Sequence, residues 1–110
     1  MDQDFNEKHK EIIRETIESW QKEASEGNQT AKEKMNGVCS TAALIVRLAG
    51  GTLPRTQQSQ GWRELVCKAY ALDVNDENNP PHIYSQPVAK FVVEHLKLDL
   101  TPGKADDLYR

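Results

Sequence analysis

Cys39 is the residue of this 110-residue chain with the most direct route to chemistry. It sits in NGVCSTAALIVRLAGG, Asn36 to Gly51, where Arg47 is the one charged side chain. A thiol at the start of a helix is favoured as thiolate by the helix dipole and so becomes a nucleophile. A nucleophile of that kind needs a base, and His82 in PPHIY is the candidate, with an Asn or Asp of the preceding loop to orient it. A second chemistry is offered by DVNDENN, Asp73 to Asn79, whose alternating oxygen side chains after a helix begin like a calcium loop.

The run GVCSTAALI resembles the Gly-x-Cys entry to a helix in papain-like cysteine peptidases and acyltransferases. That resemblance implies a hydrolase or acyltransferase with Cys39 as nucleophile and His82 as base. Periodicity gives the opposite reading. The apolar stripe of this segment starts upstream at Ala31, which puts Cys39 in the middle of a helix, where a thiol is a core residue. Cys67 also falls beside an apolar face, and the two cysteines lack metal-type spacing, so both are read as buried thiols. The calcium reading fails at its sixth position, Asn78 in place of Gly, and at its twelfth, Tyr84 in place of Glu. His9, His82 and His95 show no i, i+4 pairing, and no glycine-rich phosphate loop is present. No metal and no cofactor is expected.

The remaining candidates are contact residues. Residues 36–72 hold one acidic and four basic side chains, against nine acidic and six basic in 1–35 and seven acidic and four basic in 73–110. The middle of the chain is thus locally positive although the net charge is -3. Arg55, Gln58, Trp62 and Arg63 in this middle read as an exposed partner-binding set, since arginine pairs bidentately with carboxylates and tryptophan anchors. The acidic face of the first helix, Glu11, Glu15 and Glu18, is the second contact candidate. Nucleotide or nucleic-acid binding through the basic segment 47–68 is the further alternative, weakened by the overall negative charge.

These residues need elements to hold them. Phe5, Ile12, Ile13, Thr16, Ile17, Trp20 and Ala24 recur at helical spacing, which predicts a helix from Asp4 to about Glu26, capped by Asp2 or Asp4 and stopped by Gly27-Asn28. A second helix is expected from Gln29 or Thr30 to Ala49, on a stripe of Ala31, Met35, Val38, Cys39, Ala42, Ile45, Val46 and Ala49, ended by Gly50-Gly51. Leu44 and Leu48 widen that stripe until the last turns are apolar nearly all round. Such a helix is central to the fold or sunk in an interface.

GTLPRTQQSQG reads as a linker. A third helix, Gly61 to Leu72, follows with Trp62, Leu65, Val66, Ala69 and Tyr70 inward. Asp73 to Gln86 is a second polar loop around Pro80-Pro81. Ser85 is expected to cap a fourth helix from Gln86 to about Lys97, preferred over a strand, with Val88, Phe91, Val92 and Leu96 inward. Thr101 and Pro102 can open a last short helix, or residues 101–110 form a flexible tail.

The fold class is therefore all-α, one domain over 1–110, a bundle of four to five helices with two long polar loops. A chain of this length buries roughly two thirds of its unfolded surface. Its apolar fraction of 37% is low, so a partner or a second copy is expected to complete the burial. The start lacks the basic and apolar regions of a signal peptide, and no apolar run reaches the roughly 18 residues of a membrane span, which points to the cytoplasm. A small non-enzymatic interaction module is expected: an adaptor, a regulatory subunit or an inhibitor of a larger complex.

Overall fold

The computed structural model describes residues 5–48 and 52–101. Among these there is no β-strand, and four α-helices carry the architecture: α1 Glu7–Ser25, α2 Gln29–Arg47, α3 Gln60–Tyr70 and α4 Ser85–Leu96. Two short 3-10 helices, Arg55–Gln57 and Pro81–Tyr84, interrupt the segments between them.

α1 starts on Asn6, whose Oδ1 accepts from the backbone N–H groups of Lys8 and His9, at 3.0 and 3.2 Å. The Asn6 N–H donates back to Nδ1 of His9 at 3.1 Å, a reciprocal capping box with histidine in the place usually held by glutamate. The start at Asp4 and the caps Asp2 and Asp4 lie outside the described residues, and the cap that the helix uses is Asn6. At the other end Gly27 takes φ +94°, the left-handed value that glycine reaches without a Cβ penalty. The Asn28 N–H then reaches the Glu23 carbonyl at 3.0 Å, and the Asn28 side chain caps α2 by accepting from the Ala31 N–H at 3.1 Å. One turn thus ends the first helix and begins the second.

α2 packs against α1, α3 and α4, as its broad apolar stripe requires. Met35, Val38, Cys39, Ala42, Ala43 and Ile45 are completely buried on it. They meet Ile13 and Ile17 of α1, Trp62, Leu65 and Val66 of α3, and Val88, Ala89 and Val92 of α4 in one core. Ala49, Gly50 and Gly51, expected at the end of α2, lie outside the described residues. The helix itself stops at Arg47 with Leu48 as its C-cap.

The approach of α3 to α2 is set by two glycines. A Cβ on Gly61 would stand 2.6 Å from the Lys34 carbonyl oxygen and 2.8 Å from its Cα. A Cβ on Gly37 would stand 2.7 Å from the Cβ of Ser59 and overlap its hydroxyl. Ser59 in turn caps α3, its Oγ accepting from the Trp62 N–H at 3.0 Å.

Two local expectations are corrected. Segment 52–60 is more than a linker, since it forms the 3-10 turn Arg55–Gln57 and sinks Leu53 into the core. Ser85 is the first residue of α4 rather than its N-cap, and its hydroxyl is fully buried. The cap position belongs to Tyr84, because Pro81–Tyr84 already turns as a 3-10 helix and runs straight into α4. The last short helix falls outside the described residues. No described helix is long and apolar enough to cross a membrane.

Candidate partner groove

A groove of about 370 Å3 runs between the C-terminal half of α2 and segment 56–59. Ser40, Thr41, Leu44 and Arg47 form one wall, and Thr56, Gln57, Gln58 and Ser59 form the other. Four hydroxyls and two amides make this a hydrogen-bonding surface. Arg47 is the one charged residue in its lining.

The wall from α2 follows from helical spacing. Ser40, Leu44 and Arg47 stand at i, i+4 and i+7, on the side of α2 that faces away from Met35, Val38 and Ala42. Leu44 is 37% exposed and Leu48, one further turn along, is 48% exposed. The extra leucines that made this helix too apolar in the sequence are thus two of the exposed large hydrophobics of the described chain, side by side at i and i+4.

The opposite wall is held by a buried polar network. Nε2 of Gln58 donates to the Leu53 carbonyl at 2.8 Å and to Oγ of Ser85 at 3.4 Å. Trp62 Nε1 donates to the same Oγ at 3.4 Å, and the Ser85 hydroxyl donates to the Pro81 carbonyl at 3.4 Å. One serine hydroxyl therefore ties the groove wall to α3 and to the start of α4. Ser59 N–H reaches Thr41 Oγ1 at 3.5 Å and joins the two walls at the floor.

The contact set expected from the sequence divides. Trp62 is completely buried and Gln58 is 6% exposed, so their reading as exposed residues is corrected: they support the groove from behind or beneath. Helical spacing already placed Trp62 on one stripe with Leu65, Val66 and Ala69, and that was the better signal. For Gln58 no local signal exists, because its burial depends on Leu53 and Ser85. Arg55 faces the loop 73–80, where Nη1 pairs with Glu77 at 2.9 Å and Nη2 donates to the Val74 carbonyl. Arg63 is half-buried, and its Nη2 donates to Gln60 Oε1 at 2.6 Å. Both arginines are engaged within the chain, which weakens the basic segment as a binder of phosphates. Glu11, Glu15 and Glu18 are exposed along α1. Arg47, read from the sequence as the start of the basic segment but not among the protein-contact residues, is exposed and uses Nη1 on the Leu100 carbonyl at 3.3 Å.

The candidate chemistries take their places around this frame. Cys39 is completely buried in mid-α2, the position expected of a core residue. Cys67 is 5% exposed; burial pushes its thiol pKa up, opposed by Arg55, reinforced by Asp73 and opposed again by Arg63. No disulfide joins the two cysteines. In the loop 73–79 the Asp73 and Asp76 carboxylates accept from the N–H groups of Asn75 and Asn78, each at 2.9 Å, and so close turns. Among the described residues no group of His, Cys, Asp and Glu is placed to hold a metal ion.

Comparison of the chain with models of protein families, with curated proteins and with solved structures finds no match.

Proposed function

We propose that this chain is a small non-enzymatic interaction module of the cytoplasm, an adaptor, regulatory subunit or inhibitor that docks on a larger protein through the groove beside α2. The observation that carries the reading is the pairing of Leu44 and Leu48, exposed at i and i+4, with Arg47 and a wall of hydroxyls and amides. Apolar ridges beside satisfiable polar walls are the make-up of a partner surface, with the leucines as anchors and the polar groups fixing register. With Arg47 as the single charge in the lining, the fitting occupant is a segment of another protein that offers a carboxylate next to an aliphatic side chain.

The test is a photo-crosslinking residue placed in turn at Gln57 and at Glu15, combined with the double variant Leu44→Asp, Leu48→Asp. Both leucines are substantially exposed, so the variant keeps its fold, which circular dichroism checks. Capture of one discrete protein from Gln57 and not from Glu15, lost in the double variant, is the expected result. Capture from Glu15 alone would move the contact to the acidic face of α1 and overturn the groove. A dimer in sedimentation equilibrium that the double variant dissociates would overturn it in another way, by assigning the ridge to a second copy of this chain.

A further inference from the structure

A second cleft lies on a different face, between the first turns of α1 and α4. Its volume is about 240 Å3 and it is lined by Phe5, Lys10, Pro87, Lys90, Phe91 and Glu94. We infer that it is a binding site for one aromatic side chain flanked by carboxylates, as an acidic peptide segment of another protein presents it.

The size sets the first limit. Sites for whole small molecules run from about 300 to 1,000 Å3, so this cleft suits one ring rather than a complete cofactor. Its floor is aromatic. The Phe5 and Phe91 rings lie 5.9 Å apart at 59°, an open corner into which a third ring fits edge to face. Each is braced by a histidine: His9 stacks on Phe5 at 6.0 Å and 9°, and His95 stacks on Phe91 at 5.7 Å and 11°. Neither phenylalanine is fully buried, so ring surface remains for a partner.

Charge sets the second limit. Lys10 lies 5.8 Å from the Phe5 ring and Arg14 lies 5.6 Å from the Phe91 ring. Lys90 is exposed, and among the described residues no carboxylate pairs with it or with Arg14. Lys10 pairs with Glu7 at 3.2 Å, but Glu7 is 81% exposed, and a pair of that kind is displaced at little cost. Among the described residues, Lys10, Lys90 and Arg14 against Glu7 and Glu94 leave the cleft positive. That excess is enough for the carboxylates beside one anchor, and Glu94 can accept from a peptide N–H or an indole N–H. It falls short of the clustered Lys and Arg that a phosphate backbone needs. The inference does not rest on the groove beside α2, and its test is independent.

The probe is a blocked pentapeptide, Glu-Glu-Trp-Glu-Glu, with Glu-Glu-Ala-Glu-Glu as control and adenosine monophosphate as competitor, read by amide chemical shifts of the labelled protein. Saturable shifts at Phe5, Lys10, Lys90 and Phe91 are expected with the tryptophan peptide only. The surface variant Lys90→Glu should weaken binding about tenfold, and Phe91→Leu, which keeps apolar volume but removes the ring, should weaken it by at least as much. The Leu44→Asp, Leu48→Asp protein should bind as the native chain does, which separates failure here from failure of the groove. Absence of saturable shifts, equal shifts from the alanine peptide, or displacement of the peptide by the nucleotide would each overturn the inference.

Discussion

The groove beside α2 and the cleft between α1 and α4 are walled in different ways. Close helix approach and a buried network fix the groove: Gly61 lies against the Lys34 backbone, Gly37 lies against the Ser59 side chain, and the Gln58–Ser85–Trp62 side-chain network holds the far wall. Side-chain rings fix the cleft, in a file running from His95 through Phe91, Phe5, His9 and Tyr70 to Tyr84, with neighbouring centroids between 4.3 and 6.0 Å. A helix seated through glycine on a neighbouring backbone cannot yield without moving as a whole. A wall of rings can repack at the cost of a rotamer. The first therefore presents a fixed shape, and the second an adaptable one.

The strongest way to break this contrast is Gly61→Ala. In an ordinary helix the change would gain about 1 kcal/mol of propensity. Here the new methyl would meet the Lys34 backbone at 2.6 and 2.8 Å, where no side-chain rotation gives relief. Overpacking of that kind costs about 1–3 kcal/mol and reverses the sign. Denaturant unfolding of the Gly61→Ala protein should show a net loss on the order of 1 kcal/mol, with the groove amides of Thr56 to Ser59 shifted and those of the cleft unchanged. A gain in stability would mean that α3 sits further from α2 than the packing requires.

Helix spacing made most of this frame legible in the sequence. The stripes of α1, α2 and α3 named most of the residues that are buried, whereas the two leucines that widened the α2 stripe, read as packed, are exposed instead. What escaped depends on crossings between helices. Gly37 and Gly61 look like ordinary small residues until the Ser59 side chain and the Lys34 backbone arrive beside them. Phe5 and Phe91 fall on apolar stripes, and only the crossing of α1 with α4 leaves their rings half open beside Lys10 and Lys90. Asn6 lost to Asp2 and Asp4 as the expected cap because all three side chains can accept the same bond, and the choice turns on where the backbone leaves the helix.

Ionising Tyr70 attacks the other side of the contrast. Its ring lies 4.3 Å from His9 and 4.5 Å from Tyr84, and its hydroxyl is buried without a hydrogen-bond partner among the described residues. Burial first, and Tyr84 second, push its pKa from 10.0 up to about 12. Below pH 10 the hydroxyl is protonated in both states and the shift has no effect on stability. Between about pH 10 and 12 the unfolded chain loses that proton first, so folding stability falls as pH rises through this window. The loss should be on the order of 1–2 kcal/mol, and Tyr70→Phe should abolish it while leaving stability at neutral pH unchanged or slightly higher. An alkaline loss that persists in Tyr70→Phe would place the titrating group elsewhere.

His9 joins backbone and rings in one residue, and two substitutions separate them. His9→Gln keeps an acceptor for the Asn6 N–H, since glutamine serves at this position of a capping box, but removes the ring between Phe5 and Tyr70. His9→Phe keeps a ring between Phe5 and Tyr70 and removes the acceptor. Loss of the ring contacts should cost about 0.5–1.5 kcal/mol and loss of the cap bond about 0.5–1 kcal/mol, so thermal unfolding alone will scarcely rank them. The cleft itself does. If its shape comes from the rings, His9→Gln should shift the Phe5 and Phe91 resonances and weaken the tryptophan peptide, while His9→Phe leaves both nearly unchanged and frays only the amides of Lys8 and its neighbours. The reverse pattern would mean that the cleft, like the groove, is held by its backbone.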